Sequence, residues 1–167
     1  MIKAIFACDD NWGIGKNGAL PWPHNPADMR WFKDQTNAQT VVMGRKTWES
    51  LPKKPLPNRI NLVITSANME NYNPRPHGTY SGSDIPRIVK DVIEARYGGI
   101  DDVWIIGGAQ LFESCIPIID EIYLSRIEGN YDCDVFLPKS EIMNNFKLSE
   151  NNFSLDGLSL QKWVKRV

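Results

Sequence analysis

The stretch Ile14-Gly15-Lys16-Asn17-Gly18-Ala19-Leu20-Pro21-Trp22-Pro23-His24-Asn25-Pro26-Ala27-Asp28-Met29-Arg30-Trp31-Phe32-Lys33-Asp34-Gln35-Thr36 changes character half-way along. Its first half is punctuated by glycine, proline and asparagine, which break regular structure. Its second half reads as a helix, with Asn25 as N-cap and Pro26 at the first helical position. Residues three and four apart share a helix face. Asp28, Trp31, Phe32 and Gln35 therefore point one way, and Arg30, Lys33 and Asp34 the other. Asp28 is the anomaly, because a carboxylate on an apolar face is costly without a partner. It reads either as a helix-start carboxylate favouring the dipole and bonding back to the cap, or as the base of a pocket for a cationic or amidine-like ligand.

Outward from this stretch, strands alternate with helices. Ile2 to Cys8 is apolar enough for a central strand. Gly13 to Asn25 is an irregular segment, longer than a simple connection, as functional loops often are. Thr40 to Met43 is a buried strand stopped by Gly44. Lys46 to Leu51 is a short helix ended by Pro52, and Lys53 to Asn58 a proline-rich loop. Asn61 to Thr65 is a strand, and Asn68 to Gly78 a surface loop. A helix capped by Ser83 or Asp84 runs through Tyr97, buries Ile85, Ile88, Val89, Val92 and Ile93, and ends at Gly98-Gly99. Val103 to Ile106 is a strand, Ala109 to Cys115 a helix stopped by Pro117, and Glu121 to Ile127 a strand followed by a polar loop to Asp134. Phe146 to Glu150 and Leu158 to Val167 form a closing antiparallel hairpin. The pattern predicts a single α/β domain over 1–167: a central, mainly parallel sheet with an antiparallel C-terminal edge hairpin, flanked by helices.

Composition narrows the function classes. With 42% hydrophobic and 23% charged residues, the 167-residue chain has the balance of an ordinary globular domain. A net charge of −1 and no basic stripe argue against nucleic acid. The apolar run Ala4 to Ala7 is too short for a signal-peptide core, and no run approaches the ~18 apolar residues of a membrane helix. Cys8, Cys115 and Cys133 are odd in number and far apart, and with only His24 and His77 available they offer no metal-ligand spacing. Reduced thiols of a cytoplasmic protein are the simplest reading.

Three predicted strands end in small or polar residues: Met43-Gly44-Arg45-Lys46-Thr47, Ile64-Thr65-Ser66 and Ile106-Gly107-Gly108-Ala109-Gln110. Ligands on open α/β sheets bind at such carboxyl ends, and helix N-termini favour phosphate. Neither helix-entering turn matches G-x-G-x-x-G or the P-loop. A phosphate site therefore stands beside the plainer reading of ordinary tight turns with Arg45 and Lys46 solvated.

Ile14-Gly15, Leu20-Pro21-Trp22, Asp28, Phe32 and Thr36, with Val42-Met43-Gly44-Arg45-Lys46-Thr47-Trp48-Glu49-Ser50, Pro55-Leu56-Pro57-Asn58-Arg59 and Ile105-Ile106-Gly107-Gly108, resemble the dihydrofolate reductase family over nearly the whole chain. The resemblance implies NADPH-dependent reduction of 7,8-dihydrofolate to tetrahydrofolate, by hydride transfer to pterin C6 with protonation of N5. It implies that Asp28 anchors the pterin and favours its protonation, and that Leu20 and Trp22 close over the site and order water. Ile5, Phe6, Ala7, Phe32, Leu51, Leu56 and Ile106 become pocket walls, Arg59 the clamp on the glutamate-tail carboxylate, and Ser125 a hydroxyl bonded to Asp28 where threonine is usual. The cofactor set it implies is Ala7, Ile14, Gly15, Ala19, Gly44, Arg45, Lys46, Thr47, Thr65, Ser66, Gly107, Gly108, Ala109, Gln110, Leu111 and Phe112. Within this set Arg45, Thr65 and Ser66 meet the 2′-phosphate, and a cis peptide falls between Gly107 and Gly108. No metal is implied. The expected partners are dihydrofolate and antifolate inhibitors, with no nucleic acid, no membrane and a monomeric chain.

Three positions depart from the pattern: Phe112 stands where tyrosine is frequent, Gln110 replaces a basic residue, and Cys133 precedes Asp134 where a glycine is found, which bears on loop closure. Two rivals are a same-fold reductase of a ribosylated pyrimidine in flavin synthesis and a non-catalytic pterin- or nucleotide-binding module.

Overall fold

The computed structural model describes residues 1–97, 102–153 and 157–167. In chain order the elements are β1 (Ile2–Cys8), β2 (Gly13–Gly15), α1 (Pro26–Thr36), β3 (Thr40–Gly44), α2 (Arg45–Ser50), β4 (Ile60–Ile64), β5 (Gly78–Tyr80) and α3 (Ile85–Tyr97). There follow β6 (Val103–Gly107), α4 (Ala109–Cys115), a 3-10 turn (Ile116–Ile118), β7 (Glu121–Ile127), β8 (Val135–Phe136), α5 (Lys139–Asn145), β9 (Phe146–Phe153) and β10 (Leu158–Lys165). Eight strands belong to one mainly parallel sheet, and β2 and β8 form a separate pair. The chain divides into two compact units, Met1–Ile2 with Thr36–Ile118, and Lys3–Gln35 with Ile119–Val167.

The first unit holds the parallel strands in the order β5-β4-β3-β6. Val41, Val42, Met43, Leu62, Val63, Val103, Trp104 and Ile105 are buried there. Strands covered on both faces read as continuous apolar runs, which is why they were legible. Asp84 begins α3: its carboxylate accepts the Arg87 amide at 3.2 Å and its carbonyl the Ile88 amide at 3.1 Å. The expected stop at Gly98-Gly99 lies outside the described residues.

In the second unit β1 pairs parallel with β7, β10 runs antiparallel to β7, and β9 antiparallel to β10. The antiparallel C-terminal edge is present as expected. Four elements were not anticipated: β2 inside the segment expected to be irregular, its partner β8, the short β5, and α5. The β2 strand exists only through pairing, Gly13 opposite Phe136 and Gly15 opposite Val135. No helix among the described residues is long and apolar enough to cross a membrane.

Candidate active site

Asn25 caps α1, its Oδ1 accepting the Asp28 amide at 3.1 Å and its carbonyl the Met29 amide at 3.1 Å. The helix then presents the two faces that its spacing predicts. Asp28, Trp31, Phe32 and Gln35 are partly buried, while Arg30, Lys33 and Asp34 are exposed. Burial pushes the Asp28 carboxyl above its ordinary value, and the nearby Ser125 hydroxyl opposes the rise. The expected direct bond is not made, since Ser125 Oγ is buried without a partner at hydrogen-bond distance. Serine lacks the methyl that packs a threonine hydroxyl into one rotamer, so its oxygen is less firmly aimed. On β1, Ile5 and Phe6 are buried and Ala7 lies in register with Ser125 of β7.

The segment ahead of α1 is more ordered than its composition suggests. Lys16 and Ala19 exchange backbone bonds at 2.9 and 3.0 Å, closing a turn over Asn17 and Gly18. The Asn17 amide donates to Asp134 Oδ2 at 3.0 Å, and the Asp134 amide to the Gly15 carbonyl at 2.9 Å. Cys133 therefore does not prevent this loop contact. Its side chain fills the space beside Gly13, where an added Cβ would stand 2.4 Å from both Cys133 Cβ and Sγ. Trp22 is buried with Ile127 and Leu158, and meets Tyr131 edge-on at 6.1 Å. Leu20, just past the Lys16–Ala19 turn, is 61% exposed.

In the first unit β3 and β6 end in glycine. The Gly107–Gly108 peptide is cis. An added Cβ at Gly107 would stand 2.6 Å from Thr47 Oγ1, and one at Gly44 would lie 3.8 Å from Gly108 N. Gly44, Thr47, Gly107 and Gly108 thus meet in a shallow cradle at the carboxyl ends of two strands. Gly44 and Gly108 are also the N-caps of α2 and α4, with no side-chain cap bond at either. Ala109 and Gln110 begin α4, and Leu111 and Phe112 are buried. Thr65 Oγ1 accepts the Ala67 amide at 3.1 Å, shaping the turn that exposes Ser66.

Lys46 is exposed, but Arg45 is held. Its Nη1 lies 2.7 Å from Glu49 Oε1 one turn along α2, and the Tyr72 hydroxyl donates to the same oxygen at 2.7 Å. The Tyr72 hydroxyl and then Arg45 hold the Glu49 carboxyl below its usual range. Lys54 Nζ donates to the Glu49 carbonyl at 2.9 Å. Neither Glu49 nor Tyr72 is marked as functional by local sequence, for an acidic residue on an exposed helix face and a tyrosine in a proline-rich loop are both ordinary.

Arg59 is nearly buried. Its Nη1 donates to Thr36 Oγ1 at 3.0 Å and its Nε to the Pro57 carbonyl at 2.9 Å. Burial pulls its pKa below the usual arginine value, which leaves it a cation. The preceding turn is braced by Asn61, whose Oδ1 accepts the Leu56 amide at 2.9 Å and whose Nδ2 donates to the Leu56 and Arg59 carbonyls at 3.1 and 3.0 Å. A buried asparagine within an apolar strand was the signal available for that brace. Leu51 closes α2, its amide donating to the Trp48 carbonyl at 3.2 Å, and Ile106 lies within β6.

Comparison with known proteins agrees with this assembly of parts. A family model described as dihydrofolate reductase matches residues 1–158. The dihydrofolate reductase of Bacillus subtilis (strain 168) is 38% identical over 148 residues, covering 89% of this chain and 81% of that protein. That of Neisseria gonorrhoeae is 34% identical over 139 residues, covering 83% and 79%. Among solved structures, dihydrofolate reductase from Enterococcus faecalis complexed with NADP(H) and RAB-propyl superposes with a TM-score of 0.80 at 28% identity, over 100% of this chain and 97% of that one. A half-buried aspartate on a capped helix, a glycine cradle at two strand ends and a match from the first residue nearly to the last place the chain in the dihydrofolate reductase family.

Proposed function

We propose that this protein reduces 7,8-dihydrofolate to 5,6,7,8-tetrahydrofolate with NADPH. The observation that carries the reading is Asp28, a carboxylate raised in pKa by burial on an otherwise apolar helix face. A family relative found complexed with NADP(H) supports the cofactor. The cradle of Gly44, Thr47, Gly107 and Gly108 fits it, since Gly44 and Gly108 head α2 and α4 with no side chain bonded over those helix ends, where backbone amides favour phosphate. Arg45, Thr65 and Ser66 would hold the 2′-phosphate. When bound, NADPH supplies the hydride that reaches pterin C6.

The chain's own residues do the rest. Asp28 anchors the pterin's amino group and ring nitrogen, and its charge stabilises the ring protonated at N5, with water carrying the proton. Ile5, Phe6, Ala7, Phe32, Leu51, Leu56 and Ile106 provide apolar walls that exclude bulk solvent. Leu20 and Trp22 cover the reacting ring. Arg59 presents a planar fork suited to a carboxylate; its bonds to Thr36 and Pro57 pre-orient it, reducing the rotamer freedom lost on binding. The remaining members of the cofactor set, Ile14, Gly15, Ala19, Lys46, Ala109, Gln110, Leu111 and Phe112, line the dinucleotide. We place the enzyme in the cytoplasm as a monomer, with 1–167 acting as one reductase; burial pushes the Cys8 and Cys115 thiols up to about 12, which suits reduced, unreactive cysteines.

The test is NADPH oxidation by the purified chain with dihydrofolate, with and without an antifolate. Antifolate-sensitive turnover is expected. Turnover of a ribosylated pyrimidine in place of dihydrofolate, or binding without turnover, would overturn the reading. Sedimentation of the same sample checks the monomer.

A further inference from the structure

Asp9 directly follows β1 with 0% of its surface exposed, and the proposed reduction makes no use of it. Its neighbour Asp10 is exposed. The buried carboxylate is surrounded by donors from two stretches of chain more than a hundred residues apart. Oδ1 accepts the amides of Asn11 and Gly13, each at 2.9 Å. Oδ2 accepts the Tyr131 amide at 3.1 Å and faces Cys133 Sγ at 3.5 Å. Burial works against the charge, but the amides of Tyr131, Gly13 and Asn11 outweigh it and hold the Asp9 carboxyl below its usual value. The backbone here is pinned as well. The Asp9 amide donates to the Gly13 carbonyl at 3.0 Å, and Arg126 Nη2 reaches the Asp9 and Asp10 carbonyls at 3.3 Å while its guanidinium stacks 4.5 Å over Trp12.

The two stretches joined at Asp9 both lead to Trp22. Asn11 and Gly13 open the loop on which Leu20 and Trp22 sit. Tyr131 supplies the ring against which Trp22 packs, and Cys133 lies in the same apolar cluster as Trp22 and Ala27. A second anchor, Asp134 to the Asn17 amide, is exposed, so water competes for it. Hydrogen bonds to an ionised acceptor shielded from solvent are roughly twice as strong as neutral ones. Asp9 therefore holds the loop more firmly than Asp134 does.

We propose that Asp9 is a positioning residue for the reaction: through the Gly13 and Tyr131 amides its carboxylate fixes the loop and the ring that together set Trp22 near the head of the Asp28 helix. The inference rests on the reductase reading above and adds to it a residue that touches neither substrate nor cofactor.

Asp9→Asn keeps the volume but turns one acceptor into a donor facing an amide. In wild-type, Asp9→Asn, Tyr131→Leu and double-variant proteins labelled with fluorotryptophan, the Trp22 resonance is assigned with Trp22→Phe. Asp9→Asn should shift or broaden that resonance while leaving those of Trp48 and Trp104 in place. It should slow single-turnover hydride transfer on the order of tenfold, the loss of one charged hydrogen bond, with NADPH affinity kept within about twofold. The double variant should be no slower than the slower single variant, since both act through Trp22. An unmoved Trp22 signal, an unchanged hydride step with only thermal stability lowered, or strictly additive losses would overturn the proposal. If Asp9→Asn does not fold, Tyr131→Leu decides, because an unmoved Trp22 signal and an unchanged step there break the same chain of contacts. If the wild type reduces no dihydrofolate, the reductase reading falls, and the fluorine signal by itself still decides whether Asp9 positions Trp22.

Discussion

Replacing Asp28 with asparagine should make the protein more stable and its chemistry slower. Two effects compete at the head of α1. The helix dipole favours a carboxylate in the first turn by about 0.3–1 kcal/mol. Burial disfavours the charge, and burial wins, because the Asp28 pKa is raised overall. An acid with a raised folded-state pKa binds more protons folded than unfolded between the two pKa values. Stability then falls as pH rises through that window and stays lower above it. Each pKa unit of such a shift corresponds to about 1.4 kcal/mol, and each kcal/mol to roughly 2–4 °C in Tm for a chain of this size. Asp28→Asn removes the penalty, so the variant without ligand should melt higher than wild type at neutral pH, and the gap should close on acidification below the Asp28 pKa. Function moves the other way. A hydrogen bond to a charged group contributes roughly 1.5–3 kcal/mol, so hydride transfer at neutral pH should fall roughly 10- to 150-fold. Acid should partly restore the variant's rate, because solution then protonates the pterin without help. The wild type should slow as pH rises and protonated substrate becomes scarce. The assays are thermal unfolding across pH and single-turnover hydride transfer, with NADPH affinity measured separately. A variant that melts lower at neutral pH, or one with the wild-type rate throughout, refutes the argument.

Arg45→Ala should weaken NADPH on the order of tenfold or more while leaving NADH nearly untouched; equal losses in equilibrium titrations of both cofactors would make Arg45 only the structural partner of Glu49. Arg59→Lys keeps the charge but loses the fork and its bonds to Thr36 and Pro57; steady-state kinetics should show a raised KM for dihydrofolate and a smaller effect on a pterin lacking the glutamate. Gly13→Ala forces a Cβ against Cys133, and overpacking of this kind costs about 1–3 kcal/mol. Denaturant unfolding should recover most of that loss in the double variant Gly13→Ala with Cys133→Gly, and no recovery would show that the strain lies elsewhere.

Elements with a strong local pattern were legible in the sequence to the residue. β1, α1, α4 and β7 carry apolar runs, an N-cap, or glycine and proline stops, and each begins and ends where those signals lie. The missed elements lack such signals for identifiable reasons. β2 and β8 are three and two residues long, too short for any period, and each exists because the other lies beside it. β5 opens on Gly78, which reads as a turn, yet it pairs in parallel with β4. In α5 the buried residue is Ile142, and one apolar position makes no stripe.

The candidate site divides along the same line. Asp28 could be named because a carboxylate on that helix face is unusual, whereas the glycine strand ends read equally as ordinary turns and the arginines as solvated charges until the family resemblance gave them roles. Asp9 could not, because Asp9-Asp10 at the end of a strand looks like a solvated turn, and only the fold shows that one of the pair is sealed inside while its neighbour faces water. Its donors come from residue 131 as well as from residues 11 and 13, so no window of sequence contains the interaction. The same holds for Cys133. As a local departure it argues against loop closure, but in three dimensions its side chain occupies the space that Gly13 leaves by having none. A cysteine at 133 requires a glycine at 13, and the β2–β8 contact survives because the two positions fit as a pair. Residues whose role is set by a distant partner carry that role in the pair, which is why a candidate such as Asp28 could be named from the chain and the support at Asp9 could not.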